Sequence, residues 1–517
     1  MVNKLTICFC VFILFLPIYF FSGCIESNQN DEGDLEINIG LSQDISGFYP
    51  WIIRDTISLS VNQNFFNPLV EIDKDNTGII PALAEGWNNP DDLTWRFFLK
   101  KGVKFHNGDD FTSKDVKFTI EYLENFSFYM DKFSSITNIS ILDNYTIDIK
   151  TQDIDPLLLY DLVLVNILSE SYMLSIMDTN ESWPIGTGPY KLREYVSNDH
   201  ISLERFDDYW KELPQIRIIN FVVVDDYEDL LDGVFNGSLD ISSVAFDDIG
   251  DILSEDGLKL LWVETPSVVY ISFDFREYDS YGFYGEKNPV SDLRVRKAMY
   301  YAINISQFIE TSFNITNRIP ASQFITSKTF GYNPNIERLE YNVEKARLLM
   351  REAGYEEGFN ITFDCPNSES SINLCNKISD DLSLINITVL INPSEYNEYL
   401  RKLYFKNTSF YITAFSPLTG EGAISLLLQS SDMEKGLGFW NYGNYSNTEV
   451  DSLYDLILNT TNPSLRQKTI QNVFSIAMND VAWIPMYSSK AFYGVKDDII
   501  WNPRPSLYII AEEINIR

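Results

Sequence analysis

Along the chain, segments in which apolar residues recur at the spacing of a β-strand alternate with segments in which they recur at the spacing of an α-helix. Leu35 to Ile39 alternates apolar and polar side chains, which predicts a half-buried strand. Apolar residues recur at helical spacing over Asp292–Asn304, and a second helix is predicted to run from an Asn342 cap to Gly354. Strands and helices that alternate in this way are typical of the α/β class.

Two segments specify their local structure in more detail. A strand at Trp95–Leu99 is followed by a tight Asn107-Gly108 turn and by Thr112 and Asp115, which form a capping box before a helix. In the second half of the chain, a strand at 360–363, a helix around 374–384 and a strand at 387–391 predict one β-α-β unit.

The N-terminus has the parts of a secretory signal. Lys4 precedes an unbroken apolar run over 5–21, and small residues then lead to Cys24. This ending resembles a lipoprotein lipobox, in which the cysteine is acylated and becomes the new N-terminus. We therefore predict a signal peptide over 1–23 and a lipidated tether over 24–34. An uncleaved anchor helix is the alternative, and both place the rest of the chain outside the membrane.

Length and charge narrow the class of protein further. The 517 residues are too many for one core and predict two or three domains. A net charge of −35, from 74 acidic and 39 basic residues, argues against nucleic acid as a partner, because phosphate binding needs a concentrated basic face.

Cysteine usage points to one disulfide. Cys8 and Cys10 lie in the predicted signal peptide, so acylation of Cys24 would leave Cys365 and Cys375 as the two thiols of the exported body. In an exported protein, two remaining cysteines ten positions apart are expected to be bonded.

Motifs of catalysis are missing from the sequence. The chain has two histidines and contains no H-E-x-x-H, no G-x-S-x-G and no phosphate loop. The glycine-rich stretch Gly186–Tyr190 lacks the lysine of a phosphate loop, and we interpret it as a tight turn into a strand. His106, beside a turn, is interpreted as structural. We therefore expect neither a cofactor, nor a metal, nor enzymatic activity, although a glycosidase-like carboxylate pair could still meet in the fold.

Four blocks of sequence, in a fixed order, carry a family resemblance over nearly the whole mature chain. They comprise Ile80–Trp87 with Thr94–Gly108 and Phe111–Val116, then Ile185–Tyr190, then Asp292–Asn304, and finally Tyr341–Tyr355. These blocks resemble the family 5 extracellular solute-binding proteins, the dipeptide, oligopeptide and nickel receptors of ABC importers.

The resemblance implies a large two-lobed α/β fold of the periplasmic-binding-protein type (type II), with two crossing strands as a hinge. The crossings are expected near Val263–Phe273 and Trp483–Ala491. The implied bounds are 35–264 plus 485–517 for lobe I, 57–185 for an extra α/β subdomain within it, and 270–480 for lobe II.

Ligand residues are also implied by the resemblance. The exit loop of the first strand, here Asp44 to Gly47, contacts the ligand backbone in peptide-binding members, and a lobe II loop carries an acid that pairs with the peptide amino group. Here that loop has Phe415 and Ser416 where a tryptophan is common, and Glu421 in place of the usual aspartate. Core packing is the alternative for Tyr270, Phe415 and Trp440, and a solvated loop charge is the alternative for Glu421. The predicted ligand residues are Asp44, Ile45, Ser46, Gly47, Tyr270, Phe415, Ser416, Glu421 and Trp440.

The leading hypothesis is thus a monomeric, membrane-anchored receptor that encloses a peptide-like solute and passes it to an ABC permease. A chelated nickel ion or an oligosaccharide as the ligand, and a secreted hydrolase as the function, are the alternatives. Turnover of a substrate would distinguish the hydrolase from the receptor.

Overall fold

The computed structural model describes residues 35–517 apart from positions 50, 52, 54, 77, 177–182, 285, 310, 313–314, 418 and 434. Leu35–Arg517 forms one compact unit. The predicted signal peptide, the tether and the acylation of Cys24 lie outside the described residues.

The secondary structure alternates between strands and helices, which confirms the α/β class. The strands are β1 Glu36–Leu41, β2 Val70–Ile72, β3 Ile79–Pro81, β4 Ala84–Asp91, β5 Thr94–Leu99, β6 Ile136–Asp143, β7 Thr146–Thr151, β8 Tyr190–Val196, β9 His200–Arg205, β10 Ile218–Val223, β11 Ile241–Val244, β12 Leu258–Phe273, β13 Thr311–Ser312, β14 Ile315–Thr316, β15 Arg318–Pro320, β16 Phe359–Pro366, β17 Ile387–Ser394, β18 Phe410–Phe415, β19 Trp483–Lys496, β20 Ile499–Ile500 and β21 Asn515–Ile516. The helices are α1 Thr56–Asn62, α2 Ser113–Leu123, α3 Ser127–Phe133, α4 Leu158–Val163, α5 Glu170–Ile176, α6 Tyr227–Phe235, α7 Ile249–Ser254, α8 Leu293–Ala302, α9 Val343–Ala353, α10 Glu369–Ser383, α11 Tyr396–Tyr404, α12 Gly420–Ala423, α13 Thr448–Leu458 and α14 Pro463–Asn479.

One large sheet runs through the described body. Its strand order is β17-β16-β18-β12-β19-β11-β1-β10-β9-β8, and β15 also pairs with β19. β1 is parallel to β10 and β11, whereas β16 is parallel to β17 and β18. The sheet therefore has a parallel centre on each side of the β12–β19 pair, as two α/β lobes require.

β12 and β19 connect the two sides. They run antiparallel from Leu258 opposite Lys496 to Ser272 opposite Trp483, and the register shifts between Glu264 and Val268. At one end β19 pairs with β11, and at the other end β12 pairs with β18. These strands contain both predicted crossings, and the register shift interrupts the ladder where the strands pass from one side to the other.

The apolar cores separate at the same place. One cluster draws its buried residues from Ile37–Val263 and Tyr493–Ile514, whereas two others draw theirs from the chain between Val268 and Met486. This division agrees with two lobes. The residue bounds given above for lobe I and lobe II stay a prediction.

The capping box and the glycine-rich turn behave as predicted. Asp115 accepts from the Thr112 N–H (2.8 Å), and α2 begins at the next residue after Thr112. A Cβ on Gly186 would lie 2.1 Å from the Phe65 carbonyl oxygen, so only glycine allows this close backbone approach. His106 Nδ1 accepts from the Gly186 N–H (3.3 Å), which makes the histidine part of the turn.

The helices and the β-α-β unit of the second half are confirmed, with small changes at their ends. α9 ends at Ala353 and is capped by Gly354, whose φ of 84° is the left-handed conformation expected of a helix-terminating glycine. β16 and β17 pair in parallel from Phe359 opposite Ile387, and α10 connects them. α14 begins at Pro463 with Asn462 as its cap, because proline suits the first helical position.

Candidate functional site

Three adjoining cavities lie beside the β12–β19 pair, between the two halves of the sheet. Their volumes are about 870, 490 and 220 Å³. Ser370 lines all three, and Arg318, Leu374 and Tyr487 each line two. We therefore treat them as one space, the inter-lobe cleft.

The ends of parallel strands from both lobes open into this cleft. Val244, the last residue of β11, lines it from lobe I, and Pro366, the last residue of β16, lines it from lobe II. In open α/β sheets, ligands bind in the crevice beyond the carboxyl ends of the strands. Topology alone thus makes this cleft the candidate binding site.

The first turns of α10 form the central wall of the cleft. Ser368 caps the helix, and its Oγ accepts from the Ser371 N–H (3.3 Å). The cap lies two residues after the end of β16, and the helix begins at the next residue. Ser370 and Leu374, one turn apart, are thereby placed on the face that lines the cleft.

Side chains of both charge signs line the cleft. The bases are Arg318, Lys377 and Lys490, and the acids are Asp247, Glu369 and Asp380. Contacts with neighbouring residues hold Arg318 in place. Its Nη1 donates to the Phe308 carbonyl oxygen (2.6 Å), and its guanidinium lies 4.9 Å from the Tyr487 ring centroid.

Lys490 is the base that lies on the hinge strand β19. Its Nζ lies 4.0 Å from the ring centroid of Trp262 on β12. Burial lowers the pKa of Lys490, and the Glu264 carboxylate opposes this shift. The cation is thus held by an aromatic face beside the register shift of β12.

Aromatic side chains provide apolar walls on both sides. Tyr396, Tyr399 and Leu400 of α11 line the smallest cavity, and the Tyr396 side chain is 63% exposed. On the lobe I side, Phe246 and Phe492 line the cleft, and their ring centroids are 6.0 Å apart. A ligand in the cleft can therefore combine ionic contacts with aromatic packing.

The predicted exit loop, Asp44 to Gly47, is held within lobe I. Although burial opposes the shift, hydrogen bonds from the Asn198 N–H (2.8 Å) and the Tyr195 hydroxyl (2.9 Å) lower the pKa of Asp44. Ile45 is buried, whereas Ser46 is exposed. Within the described part of the chain, none of these residues is among those that line the three cleft cavities.

Two of the predicted aromatic ligand residues belong to the lobe II core. Tyr270 is buried, and its ring centroid lies 5.4 Å from that of Trp483. Phe415 is also buried and packs edge-on against Trp440, with centroids 4.9 Å apart. Core packing, the alternative interpretation, is therefore correct for Tyr270 and Phe415. Ser416 and Trp440 are exposed, and their contact with a ligand stays a prediction.

The interpretation of Glu421 as a ligand-facing acid is wrong. Its side chain is fully buried, and its Oε1 lies 2.9 Å from Arg466 Nε. Burial raises the pKa of Glu421, and the Arg466 guanidinium opposes this shift. Arg466 also donates to the Pro156 carbonyl oxygen (3.0 Å). The carboxylate is therefore one half of a buried ion pair, out of reach of solute.

The predicted disulfide is absent from the structure. Cys365, at the end of β16, and Cys375, in α10, are both buried free thiols. A hydrogen bond between the two side chains lowers the pKa of Cys365 and raises that of Cys375. The two cysteines do lie together, as the bond would require, but they contact each other as thiols within the lobe II core.

Sequence reasoning missed Arg318, Ser370 and Tyr487. One signal could have found Ser370. The β-α-β unit was recognised, and ligand sites lie where its first strand meets its helix. Nothing comparable marks Arg318 or Tyr487, which reach the cleft because β15 pairs with β19, far along the chain.

The chain matches the family model for the bacterial extracellular solute-binding proteins, family 5 (middle region), over residues 78–434. The chain belongs to this family. It is 28% identical to heme-binding protein A of Haemophilus influenzae, with 86% of each chain covered. It is 26% identical to the dipeptide-binding protein of Escherichia coli, with 69% of this chain and 71% of that protein covered.

A solved structure, HbpA2 from Haemophilus parasuis, shares the fold with a TM-score of 0.82. It is 18% identical and covers 93% of this chain and 100% of its own. The protein is thus an extracellular solute-binding protein of the type that serves ABC transporters, with the two-lobed fold expected. Within the described residues, no helix combines the length and the apolar character needed to cross a membrane. The same residues contain no cluster of three or more metal-ligating side chains.

Proposed function

We propose that this protein binds a short, zwitterionic peptide in the inter-lobe cleft and delivers it to an ABC permease. The observation that carries the proposal is the presence of both charge signs around one cleft, with Arg318 and Lys490 among the bases and Asp247 and Glu369 among the acids. A free peptide carries an ammonium and a carboxylate, and each needs an opposite charge when it leaves water.

The size of the cleft also suits a peptide. Its largest cavity, of about 870 Å³, lies within the range of about 300–1,000 Å³ typical of small-molecule sites. Water can fill the part of the cleft that a given peptide side chain does not occupy, which lets one cleft accept several peptides. The dipeptide-binding relative supports this ligand class.

Binding is proposed to close the lobes about the β12–β19 pair. The register shift between Glu264 and Val268 leaves Thr265 to Ser267 outside the ladder, and these residues can absorb a change in backbone angles. A ligand favours the closed state only if it contacts both lobes. The cleft meets that requirement because residues of both lobes line it.

Calorimetry with a panel of dipeptides and tripeptides tests the ligand class. We expect 1:1 binding, recovery of the peptide unchanged, and a smaller radius of gyration by X-ray scattering. Arg318→Gln should weaken binding about tenfold or more, because an enclosed carboxylate would lose its charged partner.

Arg351→Gln is the matched control, since Arg351 lies on the exposed face of α9 and pairs there with Glu356. It should leave the affinity unchanged. If no peptide binds or compacts the protein, the peptide proposal is wrong.

Heme is a second candidate, favoured by the Haemophilus influenzae relative and by the exposed Tyr396 at the edge of the cleft. Heme is flat and apolar and has two carboxylates, so it could use the same aromatic and basic side chains. An absorbance titration with heme, in the presence and absence of peptide, separates the two ligands. A saturable spectral change that peptides do not displace would favour heme.

We further propose that the mature protein is monomeric and begins at an acylated Cys24 on the outer face of the cell membrane. The sequence before Cys24 supports export and the acylated start. In the native host, Cys24→Ser should shift the protein from the membrane fraction to the soluble exported fraction. Unchanged processing and partition would replace the lipid anchor with a plain signal peptide or an anchor helix.

A further inference from the structure

Lobe I contains a second cavity of about 340 Å³, here named the lobe I cavity. Its walls come from α1, the β2–β3 hairpin, the end of α4 and the C-terminal segment 504–510. Of the described residues, none lines both this cavity and the inter-lobe cleft. Its volume is about ten times the volume that one molecule occupies in liquid water, and it falls within the range of volumes typical of small-molecule sites.

Apolar side chains make up much of its wall. They include Leu59, Tyr129, Val163, Leu164 and Ile510. Charged and polar residues line it as well, among them Glu71 and Lys74 of the hairpin and Arg504 of the C-terminal segment. Lys74 is exposed, which places the entrance at the hairpin. A largely apolar wall with a few polar groups suits a compact apolar molecule that makes a small number of hydrogen bonds.

Asn166 provides a polar group that the fold itself does not use. Asn166 lines the cavity and is only 4% exposed. Among the described residues its Oδ1 has no hydrogen-bond partner, and this oxygen is itself shielded from solvent. Leaving a buried amide oxygen unpaired is costly, so such groups are normally satisfied. A rotation of the Asn166 amide that brings Oδ1 to the cavity surface would let a bound molecule with one N–H or O–H group supply the missing donor.

The lobe I cavity and the inter-lobe cleft are separated by one segment. Ser506 and Tyr508 line the lobe I cavity, whereas Leu507 between them lines the cleft. Leu507 has a φ of 65°, which for a non-glycine residue is the uncommon left-handed conformation. The turn at Leu507 thus gives the two spaces a common wall.

We propose that the lobe I cavity is a second binding site, for a compact apolar molecule that donates one hydrogen bond to Asn166. It is independent of the proposed peptide site, since it is formed by lobe I alone. Indole is a suitable probe because it is flat and apolar and has a single N–H. Indene has the same shape without that N–H and serves as the matched ligand.

Methyl-labelled NMR of the full exported chain locates the probe. Indole should shift the methyl signals of Leu59, Val163 and Ile510 in a saturable 1:1 manner, and should leave those of Leu374 and Leu400 in the cleft unchanged. Shifts confined to the cleft methyls, or no saturable shift at all, would overturn the proposal. In the second case the cavity holds water only.

Two variants test the assignment of residues. Val163→Trp fills part of the cavity and should weaken indole binding about tenfold or more. Asn166→Leu should weaken indole binding about fivefold and leave indene binding nearly unchanged, because only indole loses a hydrogen bond. Equal effects on both ligands would exclude Asn166 as the polar contact. If Val163→Trp does not fold, the NMR of the unmodified protein still decides the site.

Discussion

Glu421→Gln removes the charge from one member of the buried pair that Glu421 forms with Arg466. The two side chains are 0% and 7% exposed, and the ion pair distance is 2.9 Å. With an effective dielectric constant of about 20, two unit charges at 2.9 Å attract each other by about 6 kcal/mol. The desolvation of both ions offsets part of this attraction, and loss of one partner of a buried pair typically costs about 3–5 kcal/mol.

We therefore expect Glu421→Gln to lower the free energy of unfolding by about 3–5 kcal/mol. Peptide affinity should change by less than about twofold, since the carboxylate does not reach the cleft. Urea unfolding followed by tryptophan fluorescence measures the first quantity, because Trp483 is buried in the same lobe II core. Calorimetry measures the second.

Glu356→Gln is the matched control, because its partner Arg351 and Glu356 itself are 62% and 60% exposed. That exposed pair should contribute less than about 1 kcal/mol. The double variant Glu421→Gln/Arg466→Met should be more stable than Glu421→Gln alone, since it no longer buries an unpaired guanidinium. A loss no larger than that of the control, or a large loss of peptide affinity with stability intact, would refute the reasoning.

Three further predictions concern stability and thiol chemistry. Burial lowers the pKa of His106 from 6.5 to about 4, so as the pH falls the unfolded chain protonates this imidazole before the folded protein does, and about 3 kcal/mol of stability should be lost from pH 6.5 to 4. Urea unfolding over this pH range should show that loss in the wild type and not in His106→Gln. Parallel curves for the two proteins would contradict the prediction. Cys365 and Cys375 should not react with a thiol reagent in the native protein, and the mature chain unfolded without reductant should contain two reactive thiols. A count of zero would show that the two cysteines form a disulfide. Gly354→Ala and Gly358→Ala both place alanine at a positive φ, but only at Gly358 would the Cβ lie 1.7 Å from a carbonyl oxygen. Thermal unfolding should therefore show a loss of unfolding free energy of about 1–2 kcal/mol for Gly354→Ala and clearly more for Gly358→Ala. Equal losses would show that the backbone relieves the clash.

Much of the local structure was predictable because its causes lie close together in sequence. The Thr112–Asp115 capping box and the left-handed Gly354 act over one turn of chain, and both occur as predicted. The β-α-β unit around α10 also follows from local periodicity. The family blocks added the order of the lobes and the two crossings, which periodicity does not contain.

The binding residues were much less predictable. The family resemblance predicts that Phe415 and Glu421 contact the ligand, yet both side chains turn inward. An acidic residue in a loop has the same local sequence whether it meets solvent or a buried base. The partner that decides between these outcomes, Arg466, lies 45 positions away and meets Glu421 through the packing of α14 against α12.

By itself the sequence determined the α/β class, the positions of most strands and helices, and the family, because these depend on periodicity, caps and ordered blocks. Only the tertiary structure decided which side chains form the cleft. Arg318, Ser370 and Tyr487 come from three separate segments and meet because β15, β16 and β19 belong to one sheet. Whether a side chain is buried, and which charge it pairs with, depends on contacts between segments that are far apart in the chain. No local sequence pattern could therefore specify the cleft residues.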